Sequence, residues 1–270
     1  MPVTASDFED LGETDEPEDE KEDSKEDEEE VHDWLADLLV DNQGICKPAF
    51  HNVRLILSND PRVAPCIALN EFTREVVRVK PFREGKKNKL GLIRQKVRNP
   101  KDGDLWSGVD YGNLQSLLSA GQNCGGYQFE IGRDKLRDAL GFVAAKNSFH
   151  PVRDQLEKFE ALWERSDKST SAVETVLDYL GLEHSPYHVE AWYAFLVATV
   201  TRVYEPGHKF DCVPILAGAQ GARKSTFIRF LALGRFKELS SDFDNLGRMI
   251  ESMKGGWICE AGERDTQGFP

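Results

Sequence analysis

The sequence predicts an α/β fold for residues 151–270, because a strand–loop–helix unit is followed by a second short strand that ends in carboxylates. The first strand is the apolar run Val213–Ala217, which leads into a turn of small residues. The second is Trp257–Cys259, with Glu260 directly after it. Parallel strands of an α/β sheet end at the same edge, so these two elements predict one shared site.

The turn after Val213–Ala217 has the composition of a phosphate-binding loop. The candidate nucleotide-binding residues are Gly218, Ala219, Gln220, Gly221, Ala222, Arg223, Lys224, Ser225 and Thr226. Backbone N–H groups of such a loop and of the following helix bind phosphate, and the lysine adds a charge on the β/γ-phosphates. The serine hydroxyl is placed to ligate Mg²⁺. The loop therefore predicts ATP and Mg²⁺ as cofactors.

Arg223 departs from the usual pattern G-x-x-x-x-G-K-[ST], because it stands where the last glycine is expected. If its side chain points outward, the loop survives and gains positive charge. If the position needs a conformation that only glycine adopts readily, nucleotide binding fails. A third reading is a glycine-containing turn that binds nothing.

Two carboxylates follow the second predicted strand. Glu260 and Glu263 match the arrangement in which one acidic residue orients Mg²⁺ and the other polarises the attacking water. We therefore predict Glu260 and Glu263 as catalytic residues, and Ser225 and Glu260 as metal ligands. Glu260 is expected to face Lys224 and Ser225.

The charge of the chain is concentrated at its start. Residues 1–31 contain 16 acidic and 2 basic residues, and the remaining chain contains 31 acidic and 32 basic ones. The segment has almost no apolar residues, so it is predicted to be a disordered acidic tail. It is interpreted either as a solubilising extension or as an arm that competes with DNA for a basic surface.

Residues 32–150 are predicted to form a mainly helical α+β domain that contacts DNA. Helices are expected at Tyr111–Ala120 and Arg133–Ala145, with a β-like stretch at Tyr127–Ile131 between them. Residues 74–101 carry eleven basic side chains against two acidic ones. Such a segment either contacts phosphate backbones or is a solvated loop. Within it, the candidate DNA-binding residues are Lys86, Lys87 and Lys89.

Helix signals in residues 151–270 are clear. Ser171 begins a capping box that starts a helix at Ala172–Leu180. Ser185-Pro186 starts the most strongly periodic helix, which runs to Tyr204 and has one apolar face. The members of that face, all predicted to lie in the core, are Val189, Trp192, Tyr193, Leu196, Val197, Val200, Val203 and Tyr204.

Cellular location is indicated by cysteine usage and by the absence of targeting signals. The five cysteines are scattered, which is typical of reduced thiols in a cytoplasm. The N-terminus is acidic and unlike a signal peptide, and no apolar run approaches the ~20 residues of a membrane span. A cytoplasmic protein with no membrane partner is predicted.

Collinear sequence segments over residues 35–270 resemble the virulence-associated E family, whose members are phage- and prophage-encoded and similar to the helicase half of phage primase–helicases. The segments are Asn70–Phe72, Phe149–Leu156, Tyr179–Gly181, Glu205–Asp211, Gly218–Thr226 and Gly256–Glu263. The resemblance implies a P-loop NTPase core of the superfamily 3 or AAA+ kind, assembly into a homo-oligomeric ring, and DNA as the track. It assigns Lys224 and Ser225 to the phosphate loop and Glu260 and Glu263 to the acidic strand.

The resemblance also implies that the ATPase core is incomplete. The chain ends at Pro270, seven residues after Glu263, where such a core needs further strands, a polar sensor and an arginine finger. We therefore expect an N-terminal part of an ATP-dependent DNA helicase or replication ATPase. The alternatives are a non-catalytic DNA- or protein-binding remnant of such an enzyme, and a P-loop phosphotransferase acting on a small molecule.

Deleting residues 1–31 is expected to leave the thermal unfolding midpoint unchanged, because the tail has almost no apolar side chains to bury. Calorimetry of the shortened and complete chains measures this. A large fall in the midpoint would show that the tail packs on the folded body.

Overall fold

The computed structural model of the chain describes residues 34–83, 90–167, 171–219, 221–239 and 245–261. It is a mixed α/β structure of helices and small sheets, as the sequence predicts at the level of class. Several predicted features lie outside the described residues, namely the acidic tail, Lys86, Lys87, Lys89, Gln220 and Glu263.

The first half of the described chain is built on a four-stranded sheet with the order β3-β2-β1-β4. Strands β1, β2 and β3 pair antiparallel, whereas β4 pairs parallel to β1. The elements in chain order are α1 (Phe50–Asn59), β1 (Ile67–Asn70), β2 (Glu75–Arg78), β3 (Asp104–Leu105), α2 (Gly108–Ser119), α3 (Arg133–Ala144) and β4 (Ser148–Phe149).

Helices α1 and α3 pack against each other and form the centre of the first core. Ile56 and Leu57 of α1 and Leu136 and Leu140 of α3 are at most 1% exposed. Leu114 of α2 joins the same cluster. Each such side chain stabilises the fold by about 1.5–3 kcal/mol when it is fully buried. Helices α2 and α3 begin and end within three residues of the helices that the sequence predicts.

Arg78 holds a buried charge at the end of β2. Its side chain is 2% exposed, and its Nε lies 3.0 Å from Oδ1 of Asp110, which is 1% exposed. Its Nη2 lies 3.3 Å from Asp104 Oδ2, and its Nη1 donates to the carbonyl of Gln95 at 2.9 Å. Because a buried charge is tolerated only when it is paired and hydrogen-bonded, this network fixes β2, β3 and α2 relative to one another.

The second half carries the predicted phosphate loop. Its elements in chain order are α4 (Pro151–Arg165), α5 (Ala172–Leu180), α6 (Pro186–Tyr204), α7 (Lys224–Leu231), β5 (Phe236–Leu239), α8 (Leu246–Met253) and β6 (Ile258–Ala261). Strands β5 and β6 pair parallel, with Glu238 opposite Glu260. The predicted helices at Ala172 and Pro186 begin where their serine caps place them, since Ser171 and Ser185 accept hydrogen bonds from backbone N–H groups of the first turns.

A separate apolar cluster holds this half together. Four of its side chains are at most 6% exposed and pack in one group: Leu177 of α5, Trp192 of α6, Phe227 of α7 and Ile258 of β6. Two rings of this group, Trp192 and Phe227, meet edge to face with centroids 5.7 Å apart. The cluster fixes α7 against β6, and these are the two elements that carry Lys224, Ser225 and Glu260.

The prediction of a strand at Val213–Ala217 is wrong. These residues form no strand, and Val213 and Ile215 are 82% and 89% exposed. Strand β6 has its parallel partner in β5 instead. Pro214 lacks a backbone N–H, and a lone strand without a neighbour is not stable.

The β-like stretch Tyr127–Ile131 also forms no strand. Gln128 has a φ of 60°, which interrupts extended backbone. The stretch lies instead along the end of α2, where the N–H groups of Tyr127 and Phe129 donate to the carbonyls of Leu117 and Leu118.

The predicted core face of α6 is only partly buried. Trp192 and Val203 are 5% and 4% exposed, but Tyr193, Val197, Val200 and Tyr204 lie between 37% and 62% exposed. The apolar face of this 19-residue helix is wider than the surface that α5 and α4 present to it. None of the described helices, α6 included, is long and apolar enough to cross a membrane.

The two halves meet through polar contacts. Arg235, which is 8% exposed, donates to Asp102 Oδ1 at 2.7 Å, and Lys254 pairs with Glu75. A cavity of about 200 Å³ lies between the two halves and is lined by Asn70, Phe72, Thr73, Asp102, Arg235 and Gly255, among others. The division into domains at residue 150 stays a prediction.

Replacing Arg78 with methionine is expected to lower the free energy of unfolding by about 3–5 kcal/mol, because Asp110 would be left buried without a counter-charge. Urea denaturation followed by circular dichroism measures the loss. Arg137→Met is the matched control, because the Arg137–Asp134 pair is exposed and should change stability by about 0.5 kcal/mol or less. A loss below about 1 kcal/mol for Arg78→Met would contradict the role given to the buried pair.

Candidate phosphate and metal site

The predicted loop leads directly into the N-terminus of α7. Lys224 is the first residue of the helix, and the side chain of Arg223, the residue before it, makes no capping hydrogen bond. The first backbone N–H groups of a helix have no partner within the helix, and they carry partial positive charge. The start of α7 therefore presents donors suited to an anion, as the sequence predicts.

Lys224 reaches back over the loop. Its Nζ donates to the carbonyl oxygens of Gly218 at 2.8 Å and Ala219 at 3.1 Å. These contacts hold the ammonium group on the loop side of the helix N-terminus. A phosphate there would meet the charge of Lys224 and the N–H groups of the first helical turn together.

Ser225 and Glu260 are brought together from positions 35 residues apart. The hydroxyl of Ser225 donates to Oε1 of Glu260 at 2.6 Å. Glu260 lies within β6, and Ser225 lies in the first turn of α7. The sequence predicts that Glu260 faces Ser225, and the two side chains are in contact. The packing of α7 on β6 brings them together, and the parallel partner of β6 is β5, not the predicted loop strand.

The oxygen atoms of Ser225 and Glu260 fit a hard divalent cation. Mg²⁺ prefers oxygen ligands, and it is usually held by one or two protein groups together with water and substrate phosphates. In the part of the chain that the structure describes, no group of three or more His, Cys, Asp or Glu residues can hold a metal. A hydroxyl and one carboxylate beside a phosphate site suit Mg²⁺ bound with a nucleotide better than a metal held by protein alone.

Cys259, the neighbour of Glu260, is not suited to act as a thiolate ligand for a soft metal ion. Burial raises the pKa of its thiol. A thiol binds metals and reacts as the thiolate, so the raised pKa disfavours both roles. The site is therefore one of oxygen and nitrogen groups.

Arg223 occupies the left-handed backbone conformation that glycine adopts most readily. Its φ and ψ are 57° and 24°, and it is the residue before α7. Its side chain is exposed. A left-handed conformation costs a non-glycine residue roughly 1–2 kcal/mol. Arg223 thus occupies a backbone conformation that a glycine at this position would adopt without strain.

An aromatic group behind the loop was not found from the sequence. The ring of Tyr179 stacks on Phe227 with centroids 5.4 Å apart and an interplanar angle of 29°. Phe227 lies one turn after Lys224 and also contacts Trp192. The helical periodicity of α5 and α7 indicates that each helix has an apolar face. It does not indicate that Tyr179 and Phe227 meet, because no local pattern connects residues so far apart in the chain. The rings set the position of α7 and so of its first turn.

The predicted DNA-binding residues Lys86, Lys87 and Lys89 lie outside the described residues, and their role stays a prediction. Of the other basic residues in the segment 74–101, Arg78 has a structural role in the buried network. Arg94, Lys96, Arg98 and Lys101 are exposed.

Comparison with protein families gives one match. Residues 157–267 match the model of the virulence-associated protein E-like domain. The match contains the loop, α7 and β6, and therefore Lys224, Ser225 and Glu260. The resemblance of residues 35–156 stays a prediction. Comparison with curated proteins gives no match.

Replacing Arg223 with glycine is expected to raise the free energy of unfolding by up to about 1 kcal/mol, because it removes the cost of the left-handed conformation. Ala222→Gly is the matched control in the same loop. Ala222 has no positive φ, so glycine there only adds freedom to the unfolded chain and should lower stability slightly. Thermal and urea unfolding measure both variants. Equal destabilisation by the two glycines would contradict the conformation assigned to Arg223.

Proposed function

We propose, from the premise that residues 157–267 form a virulence-associated protein E-like domain, that the chain binds ATP and Mg²⁺ at the start of α7. The domain is associated with phage and prophage proteins of the primase–helicase kind. The proposed function is that of an ATP-dependent DNA helicase or replication ATPase, with a P-loop NTPase core of the superfamily 3 or AAA+ kind. The contact between Ser225 and Glu260 is the observation that carries the proposal.

The proposed nucleotide site uses the residues from Gly218 to Thr226. The N–H groups at the start of α7 bind the phosphates, and Lys224 neutralises the β/γ-oxygens. Its two hydrogen bonds to loop carbonyls are exchanged for phosphate oxygens when the nucleotide binds. The side chain of Arg223 is exposed, and we propose that it does not prevent the nucleotide from binding.

The proposed metal site uses Ser225 and Glu260. When bound, Mg²⁺ would supply charge neutralisation at the β- and γ-phosphates. The Ser225 hydroxyl and the Glu260 carboxylate would hold the ion, and Glu260 would also orient its bound water. Glu263 is proposed to polarise the attacking water. DNA is the proposed track, and a homo-oligomeric ring is the proposed assembly.

A second candidate function is a non-catalytic DNA- or protein-binding remnant of such an ATPase. Two observations favour it. Arg223 stands at the glycine position, and Val213–Ala217 does not form the strand that would support the loop from its other side. Nucleotide binding separates the two functions, because a remnant needs no phosphate site.

Lys224→Ala is expected to lower the affinity for nucleotide by well over about tenfold, more than ~1.4 kcal/mol, because it removes the charge facing the phosphates. Arg223→Gly is expected to bind as tightly as the parent or more tightly, since it restores the glycine pattern. Titration of a fluorescent ATP analogue with Mg²⁺ measures both. Lys209→Ala, a change at an exposed lysine outside the loop, is the matched control and should leave the affinity unchanged.

Three outcomes of this titration would change the proposal. Negligible binding by the parent and all variants would support the remnant. A sharp loss in Arg223→Gly would show that the arginine contacts the nucleotide. Equal binding by the parent and Ser225→Ala at every Mg²⁺ concentration would remove Ser225 from the metal site.

A further inference from the structure

A short basic segment runs over the surface of the first half. Residues 90–101 contain four basic side chains and no acidic one. Arg94, Lys96 and Arg98 are exposed, whereas the intervening Gln95 and Val97 are half-buried. We call Arg94, Lys96 and Arg98 the basic strip. The alternation of burial places these three side chains on one outward face.

No carboxylate among the described residues pairs with the basic strip. This differs from the nearby Arg78, whose charge is matched by Asp104 and Asp110. Three neighbouring positive charges that form no ion pair with a described carboxylate repel one another and attract a polyanion.

Asn113 fixes the start of the segment. Its Oδ1 accepts from the N–H of Ile93 at 2.8 Å, and its Nδ2 donates to the carbonyl of the same residue at 2.8 Å. Asn113 lies in α2 and is 3% exposed. A buried amide that uses both its donor and its acceptor on one backbone residue holds that residue firmly.

Arg78 and Asp104 fix the remainder of the segment. Arg78 donates to the carbonyls of Gln95 at 2.9 Å and Lys96 at 3.4 Å. Asp104 accepts from the N–H groups of Arg98 and Asn99 at 2.9 Å each. The backbone is therefore held along its length by side chains of α2, β2 and β3, although the segment belongs to no sheet.

The spacing of the basic strip suits an extended polyanion. In extended backbone, residues two apart lie roughly 6.6 Å from each other and point to the same side. Successive phosphates of a stretched nucleic-acid strand have a comparable separation. Because the backbone is already held in place, little conformational entropy is lost when phosphates bind.

We propose that the basic strip binds the phosphate backbone of single-stranded DNA, with one phosphate at each of Arg94, Lys96 and Arg98. The proposal names a site for the DNA track, and it rests on the proposed function in taking DNA as the partner. Residues 90–101 contain no aromatic side chain for base stacking. Binding at the strip is therefore electrostatic and independent of base sequence.

The test uses the complete chain and fluorescent single-stranded DNA of about 20 nucleotides, long enough to cover the strip several times over. Affinity is measured by anisotropy over a range of salt concentrations. Converting Arg94, Lys96 and Arg98 to glutamine should lower the affinity on the order of tenfold at about 50 mM salt. It should also reduce the slope of log K against log salt by about 2, since each phosphate contact on a single strand contributes about 0.7.

The matched control changes the same net charge elsewhere. Lys158, Arg165 and Lys209 are exposed basic residues of the second half, and converting them to glutamine should leave the salt slope nearly unchanged. An equal loss in the control variant would show that net charge alone acts, and it would overturn the proposal. A loss of slope only when Lys86, Lys87 and Lys89 are converted would place the DNA site in those residues instead.

Asn113→Ala tests whether the held backbone matters. This variant keeps all three charges, so the salt slope should stay unchanged while the affinity falls several-fold. An unchanged affinity in a folded Asn113→Ala protein would contradict the role of the fixed backbone. Tighter binding to a duplex of equal length than to the single strand would overturn the assignment to single-stranded DNA.

Failure of this proposal is distinguishable from failure of the proposed ATP site. Binding of the fluorescent ATP analogue should be unchanged when the basic strip is neutralised. DNA binding without nucleotide should be unchanged in Lys224→Ala. Loss of nucleotide binding with a normal DNA salt slope would leave the basic strip in place and remove only the ATP site.

Discussion

The packing of α7 on β6 is the constraint on which the candidate site depends. Phe227 and Ile228 on the inner face of α7 and Ile258 at the start of β6 are buried in one cluster. This apolar contact fixes the helix axis against the strand. Ser225 then lies one turn before the buried face, and Glu260 lies two residues after Ile258, so the 2.6 Å hydrogen bond follows from the packing. An apolar core thus decides where the polar groups meet, and the polar contact adds only a modest free energy.

In the first half, too, apolar packing and polar contacts have different roles. The apolar faces of α1 and α3 form the centre of the core, whereas the buried Arg78 links the surrounding polar segments. Its guanidinium has several donors in a fixed plane: it donates to Asp104 and to backbone carbonyls, and it forms an ion pair with Asp110 at the same time. Such a network adds little net stability compared with apolar residues, but it links β2, α2 and the segment after β2 through one side chain.

The sequence predicted local elements where local chemistry decides them. Ser171 and Ser185 cap α5 and α6 because a serine side chain accepts from the N–H three residues later, which is a property of four adjacent residues. The contact of Glu260 with Ser225 agrees with the prediction, although the loop strand on which the prediction relied does not form. The stacking of Tyr179 on Phe227 was not predicted, since it depends on how two helices approach each other.

The wrong strand at Val213–Ala217 shows where this kind of reasoning stops. The apolar pattern of these residues is compatible with a buried strand, but a strand also needs a neighbour that offers backbone partners. Within the described residues β6 pairs with β5, and the apolar side chains of Val213 and Ile215 stay in solvent. Among the described residues, Leu216 packs against the cluster of Phe227 on the strand side of the loop, and Lys224 contacts the loop carbonyls from the helix side. The apolar pattern of a segment shows which side chains it could bury. Whether they are buried depends on whether another part of the fold packs against them.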